Sequence, residues 1–311
     1  MSGFRLTLLF TAALAAPAPA ADWFVIVGGL GGESRYEERF DEEIDAIAKA
    51  VESSAGDPSH VRTLRGDEAR LESIEKAFAE LKEKLQPSDT LAVFLVGHGS
   101  DDGETYKFNI PGPDITDQRL AELLAETPAE RQLVVNTTSS SGGSLEGLEA
   151  KGRAVITATK SGRERTATIF GKYWAEALGS PEADVDKNEI VSAEEAFRYA
   201  EAKVETFFGD NNLLATEHPQ LQGSSAGGFA LVRLGQAAEA LNDPELQPLV
   251  RKREELEAKI ESFKLRKDAI AEEEYFDQLQ ELLVDLALVQ EEISAGGSAP
   301  APPAEAPGGQ P

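Results

Sequence analysis

Two hydrophobic periods alternate along most of this chain. Trp23 to Gly28 is a short apolar run that ends in glycine, and Thr90 to Val96 is another; runs of this length and composition predict buried strands. Between them Phe40, Ile44, Ile47 and Val51 recur every three or four residues, as do Leu71, Ile74, Phe78, Leu81 and Leu85, which predicts two amphipathic helices. Shorter strands are predicted at His60 to Leu64, Tyr106 to Ile110, Leu133 to Val135, Arg153 to Ala158 and Phe229 to Leu234. Further helices are predicted over 116–125, with Thr116 as N-cap, and at about 166–178 and 192–207. Strands alternating with one-sided helices call for an α/β fold with a mainly parallel sheet covered on both faces.

Beyond Leu234 only the helical period persists. Leu249, Leu256, Ile260, Phe263 and Ile270 form one seam, interrupted by Arg253 and Lys267, and Tyr275, Leu279, Leu282, Leu286, Val289 and Ile293 form a second. The phase breaks between 270 and 275, so two helices are expected to form an antiparallel α-helical hairpin over 240–293, turning near Lys267–Glu272. Two helices bury little by themselves, so the seam should pack on the main domain or support self-association with a second copy. Residues 294–311 are rich in Ala, Pro and Gly without periodicity and are expected to form a disordered tail.

The first twenty residues follow a different logic. Arg5 is their one charge, Leu6 to Ala16 is apolar, and Ala18-Pro19-Ala20 is a small-x-small site. This pattern predicts a signal peptide over residues 1–20, removed to leave a periplasmic or extracellular protein with no integral membrane segment. Of the 311 residues 41% are hydrophobic, enough for a sizeable core, and 56 Asp and Glu against 30 Lys and Arg leave a formal net charge of -26. So acidic a chain repels phosphate backbones and anionic lipid, which argues against nucleic acid or a membrane surface as partner. There is no cysteine. Disulfides, thiolate-ligated metals and a cysteine nucleophile are therefore excluded.

In a parallel sheet, chemistry gathers beyond the carboxyl ends of the strands. The Thr90–Val96 strand runs into Gly97-His98-Gly99-Ser100, and the Leu133–Val135 strand into Asn136-Thr137-Thr138-Ser139-Ser140-Ser141-Gly142-Gly143. A histidine between glycines at such an end suits a general base, and the glycines admit close approach of a substrate to backbone amides. Gly, Ser and Asn are also ordinary turn residues. Together the two ends resemble the caspase-like, legumain-type cysteine peptidases (the clan CD, peptidase C13/C14-like group). In that family one strand ends in His-Gly, and a later one ends in the nucleophilic Cys followed by x-Ser-Gly. The matching positions here are Val96-Gly97-His98-Gly99 and Ser139-Ser140-Ser141-Gly142, with Ser139 41 residues after His98. Thr157-Ala158-Thr159, Phe170 and Glu217-His218-Pro219-Gln220-Leu221 add to the resemblance, which covers roughly residues 22–235. It implies a caspase-like three-layer sandwich over 21–235 and a substrate-like cleft. It also implies an arginine-lined pocket, for which Arg35 and Arg39 are the nearby candidates.

The nucleophilic Cys is replaced by Ser139. A thiol is partly ionised near neutrality, whereas a serine hydroxyl needs a closely held base that is usually oriented by a carboxylate. Asp101 and Asp102 are near His98 in the chain only, and His60 and His218 read as packed or turn residues. Two readings follow. In one the protein is a pseudoenzyme, a noncatalytic homologue that binds a peptide or protein partner. In the other it is a serine-type endopeptidase in which His98 activates Ser139 and the Gly99 and Ser139 amides form the oxyanion hole.

A separate motif lies at 184–195. Asp184, Asp186, Asn188, Ser192 and Glu195 occupy positions 1, 3, 5, 9 and 12 of an EF-hand-like calcium loop, with Val191 at position 8. They predict a structural Ca²⁺ site. Position 6, where the chain turns with positive φ and glycine is usual, is Glu189. The alternative is a solvated acidic loop in which Ser192 caps the next helix.

Overall fold

The computed structural model describes residues 20–223, 226–241, 243–264 and 266–296; the expected signal peptide except residue 20, and the expected tail from residue 297, lie outside them. The chain runs β1 (Asp22–Gly28), α1 (Ser34–Glu52), β2 (Val61–Leu64), α2 (Leu71–Lys84), β3 (Thr90–Val96), β4 (Gly99–Asp101), β5 (Tyr106–Phe108), β6 (Ile115–Thr116), α3 (Asp117–Glu126) and β7 (Arg131–Asn136). It continues through α4 (Leu145–Leu148), β8 (Arg153–Thr157), α5 (Phe170–Leu178), β9 (Ile190–Ser192), α6 (Ala193–Asp210), β10 (Gln220–Gln222), β11 (Ala230–Arg233), α7 (Gly235–Leu241), α8 (Gln247–Lys264) and α9 (Glu272–Gly296).

The main sheet has the order β10-β8-β7-β3-β1-β2, and every pairing is parallel except that of β10 with β8. Its strands alternate residue by residue between two cores. Phe24 and Ile26 of β1 and Ala92, Phe94 and Val96 of β3 pack with α1, α5 and α6 on one face. Trp23, Val25 and Val27, with Leu91, Val93 and Leu95, pack with α2 and α3 on the other. That double burial is why these strands read as continuous apolar runs rather than alternating ones. The result is a three-layer α/β sandwich with a mainly parallel sheet, as the sequence period called for.

The differences from the sequence expectation concern short elements. The Phe229–Leu234 segment does not join the main sheet: β11 pairs with β9 in a separate two-stranded sheet, Val232 opposite Val191. The main sheet closes instead on β10, whose three residues Gln-Leu-Gln carry too little pattern to announce a strand. The helix expected from 166 begins only at Phe170, because Thr168 and Ile169 bond elsewhere: the Thr168 hydroxyl donates to the Thr137 carbonyl at 2.6 Å and the Ile169 amide to the Glu217 carboxylate at 2.8 Å. Thr116 does cap α3, its Oγ1 accepting the Arg119 amide at 3.1 Å.

The C-terminal helices form the expected antiparallel pair, with a 3-10 turn at Lys267–Ala269 and the Phe263 and Tyr275 rings stacked 5.1 Å apart across the turn. The helix continues to Gly296, three residues into the stretch expected as tail. Arg253 does not interrupt the seam as the sequence suggested. Val250, Arg251 and Arg253 are buried, whereas Leu249 is only half-buried. For Arg251 the cause is ionic: it donates to Asp22 Oδ2 at 2.6 Å, and Arg233 of β11 donates to the same oxygen at 2.8 Å and to Glu254 Oε2 of α8 at 2.7 Å, whereas Arg253, among the described residues, donates only to Gln290 Oε1 at 3.2 Å. The hairpin is thereby tied to the first residue of β1. Among the described residues no helix is long and apolar enough to cross a membrane.

Candidate functional site

The order of the main sheet reverses between β1 and β3: β2 lies outside β1, and β7 and β8 lie outside β3. At such a switch point the loops leaving the two strands diverge and open a crevice. His98 leaves β3 there, and the Gly29 amide donates to the Val96 carbonyl at 2.8 Å beside it.

The glycines around His98 have a packing reason. A Cβ on Gly97 would lie 3.0 Å from Gly29 Cα, and one on Gly99 would lie 2.6 Å from Thr138 Oγ1 and from the Tyr106 ring. The close approach at Gly99 brings the two strand ends together. Ser139 Oγ donates to the Gly99 carbonyl at 2.9 Å and accepts the Gly99 amide at 3.2 Å. The two candidate segments are thus adjacent, and their junction is closed by backbone: neither of these Ser139 Oγ bonds goes to His98. Ser139 is almost fully buried.

The His98 imidazole turns the other way. It lies edge-on to Tyr36 and Phe40, at 4.9 and 5.1 Å between ring centres, with the Gly31 backbone near the ring. Partial burial and the nearby Arg39 guanidinium hold its pKa below the ordinary histidine value, which favours the neutral ring. Neither nearby aspartate orients it. Asp101 accepts the Gly103 amide and packs where side chains on Gly143 and Gly162 would stand, and Asp102 caps its own turn and pairs with Lys107.

The rest of the hydroxyl-rich segment forms a buried network. Tyr106 Oη, Thr138 Oγ1 and Asn136 Oδ1 lie within hydrogen-bond distance of one another, the two hydroxyls 2.6 Å apart, so one hydroxyl donates to the other or to Asn136 Oδ1, and Asn136 Nδ2 donates to Ser144. Thr137 Oγ1 donates to the Leu95 carbonyl, and Thr159 Oγ1 accepts the Gly142 amide. Ser140 stands apart: its φ is 57°, in the left-handed region that non-glycine residues rarely adopt, and its buried Oγ has no partner.

Three ionisable groups stand behind His98, and the sequence reading assigns no role to two of them, Glu43 and Glu217. Glu43 of α1 and Glu217 are buried, and burial raises each to about 7. Arg39 lies beside both, its Nε 3.3 Å from Glu43, and its guanidinium stands over the Phe40 ring at 4.9 Å. Of the two arginines proposed from sequence, Arg39 therefore reaches the His98 surroundings, while Arg35 pairs with Glu33 at the surface. The signal for Glu43 was available, since it falls on the apolar side of α1 between Phe40 and Ile44. His218 also has a carboxylate partner, Glu164, whose backbone carbonyl accepts the Ser140 amide at 2.8 Å. His60 is packed against Trp23, 4.0 Å between ring centres.

At the second candidate site, carboxylate oxygens of Asp184, Asp186 and Glu195 lie within 4.8 Å of one another. Asn188 and Ser192 already make other hydrogen bonds. Asn188 Oδ1 accepts the Ile190 amide and its Nδ2 donates toward Glu257, while Ser192 and Glu195 form a capping box on α6. Glu189 has a φ of 65°, the left-handed turn expected at the sixth position, and its carboxylate accepts the Ala237 amide at the start of α7. Burial and the neighbouring Glu195 raise the Asp186 pKa, as crowding of like charges must.

No family model matches the chain, and no curated protein matches it. Solved structures do. The chain is similar to a crystallised protein of Geobacter sulfurreducens (11% identity, TM-score 0.42, covering 65% of this chain and 92% of that one). It is similar to Caspase-1 of Spodoptera frugiperda (13% identity, TM-score 0.42, covering 74% and 95%). It is also similar to the Drosophila initiator caspase Dronc (7% identity, TM-score 0.37, covering 65% and 78%).

Proposed function

We propose that this chain is an exported, noncatalytic homologue of the caspase- and legumain-type peptidases that binds a peptide or protein partner. The family reading rests on the residue matches at His98 and Ser139. The noncatalytic reading is carried by one observation: Ser139 Oγ is held in a two-bond ring with the Gly99 backbone, while the His98 ring packs edge-on against Tyr36 and Phe40. General-base activation requires the base nitrogen within hydrogen-bond reach of the hydroxyl. The Gly99 amide, the oxyanion donor of the hydrolase reading, is itself occupied by Ser139 Oγ. The test is a serine-reactive fluorophosphonate applied to the wild type and to Ser139→Ala, together with a mixed peptide library. Neither labelling at Ser139 nor cleavage is expected. Labelling that disappears in Ser139→Ala, accompanied by cleavage, would establish the serine hydrolase instead.

We further propose that the Asp184–Glu195 loop holds a structural calcium ion. Its support is the approach of three carboxylates to one point, together with the positive φ that Glu189 already adopts. Calcium would neutralise the mutual repulsion of Asp184, Asp186 and Glu195 and join the loop to α6. About 1 mM Ca²⁺ should raise the melting temperature of the wild type and leave that of Asp184→Asn unchanged. Equal shifts in the two proteins, or none in either, would remove the ion from the account.

A further inference from the structure

A cavity of about 610 Å³ lies between the Asp184–Glu195 loop and the C-terminal hairpin, away from the strand-end crevice. Its walls carry more acid than base, with Asp186, Glu194 and Glu195 facing Glu257 and Glu261 of α8; Arg198 and Lys264 also line it and pair with Glu194 and Glu261, which leaves Asp186, Glu195 and Glu257 as the surplus acids. Its apolar lining includes Ile190, Ile260 and Leu283. The apolar surface does not stop at the rim. On α9 Phe276, Leu283, Val284 and Leu288 are 47–53% exposed, Val284 and Leu288 opposite the buried Tyr275, Val289 and Ile293 and Phe276 and Leu283 on the flank of that buried side. Leu283 belongs to both surfaces and joins the cavity rim to the stripe, while Val284 and Leu288 lie further round the helix. The stripe from 276 to 288 is roughly 18 Å long, at about 1.5 Å per helical residue.

Charge selects the occupant. The helix α9 carries eight acidic residues and no Lys or Arg. A second copy laid on the same stripe would oppose acid to acid, which costs affinity and specificity. The chain's own residues 297–311 contain no aromatic residue, no Leu, Ile, Val or Met, and no basic residue; they can neither fill the stripe nor neutralise its flanks.

The geometry points to a docking groove for a basic amphipathic helix of a partner protein, its apolar side laid on Phe276, Leu283, Val284 and Leu288 and its Lys and Arg residues facing the acidic walls. Helix-in-groove recognition uses apolar anchors at three- and four-residue spacing, which the stripe matches in length and chemistry. The groove does not depend on the state of Ser139, whereas a cation in the loop would neutralise Asp186 and Glu195 on one of its walls and weaken the attraction.

The probe is a labelled amphipathic Leu/Lys peptide of roughly 18 residues, about five helical turns, compared with a scrambled peptide of the same composition. Binding to the full chain is read by fluorescence anisotropy at about 0.15 M salt, in EDTA so that the cation loop does not contribute. The amphipathic peptide should bind at least about tenfold more tightly than the scrambled one. The exposed pair Leu283→Ser/Leu288→Ser should weaken it about tenfold without lowering the melting temperature. Glu257→Gln/Glu261→Gln should weaken it and flatten its salt dependence. Equal affinity for both peptides, or indifference to the leucine pair, would reduce the effect to adsorption on an acidic protein and overturn the groove. A wild-type dimer in sedimentation that Leu283→Ser/Leu288→Ser abolishes would assign the stripe to a second copy and overturn it likewise.

Discussion

Arg233 donates from Nη2 to Asp22 Oδ2 at 2.8 Å, and this pair joins the first residue of β1 to the last strand of the chain. Asp22 also accepts from Arg251 and from Thr90 Oγ1, and Arg233 from its other nitrogens reaches Glu254 and the Ser54 carbonyl. The buried charges are therefore paired and hydrogen-bonded on most sides, the condition under which a buried ion network is tolerated.

Breaking this network from one side should be costly. Asp22→Asn leaves Arg233 and Arg251 with an uncompensated charge and should destabilise the protein by about 3–5 kcal/mol in chemical denaturation. The arginines hold the Asp22 pKa well below the ordinary carboxylate value. Its contribution is therefore fully present above the unfolded value of about 4 and is lost as pH falls below that. The variant should show a shallower acid limb than the wild type; an unchanged acid limb would contradict the pairing.

Glu43 and Glu217 act in the opposite pH direction. Burial raises each to about 7 from 4.5, so the folded protein binds more protons than the unfolded chain between those values. Stability is fully present below about pH 4.5 in this respect and declines as pH rises through 7, by on the order of 3 kcal/mol per group. Glu43→Gln or Glu217→Gln should each remove part of that decline and be relatively more stable at pH 8 than at pH 5. Parallel pH profiles for variant and wild type would show that these carboxylates are solvated.

Gly99 should not accept a side chain. A Cβ there meets Thr138 Oγ1 and the Tyr106 ring at 2.6 Å, so Gly99→Ala should cost at least about 1–3 kcal/mol. Gly209 is the contrast. It lies in α6 with nothing within 4 Å of a new Cβ, and Gly209→Ala should stabilise by about 0.5–1 kcal/mol. Equal effects at the two positions, read from urea midpoints, would contradict the close approach of the strand ends.

Glu189 combines an unfavourable turn with a favourable bond. Glu189→Ala keeps the positive φ and loses the bond to the Ala237 amide, and should destabilise by about 1 kcal/mol. Glu189→Gly loses the same bond but relieves the backbone, and should be about 1 kcal/mol more stable than the alanine variant. If alanine equals or exceeds glycine in a thermal melt, the left-handed turn at this position is not present.

The parts legible in the sequence were those encoded by local period. Phe40, Ile44, Ile47 and Val51 name the buried side of α1, the runs at β1 and β3 name strands buried on both faces, and the phase break after Ile270 marks the hairpin turn. The His98 and Ser139 segments were legible because functional groups in parallel sheets gather at strand ends. The pairing of β9 with β11, the closing strand β10 and the burial of Arg251 and Arg253 were not, since each depends on a partner far along the chain.

By itself, then, the sequence determined the alternation of strands and helices, the absence of any thiol, the acidity and the two candidate strand ends, because composition and periodicity are local properties. Tertiary structure decided where the side chains at those ends point. Ser139 and His98 stand on neighbouring loops, yet the hydroxyl turns to the Gly99 backbone and the imidazole to Tyr36 and Phe40. The direction of a side chain is set by packing from elements distant in sequence, and no spacing of residues along the chain contains it.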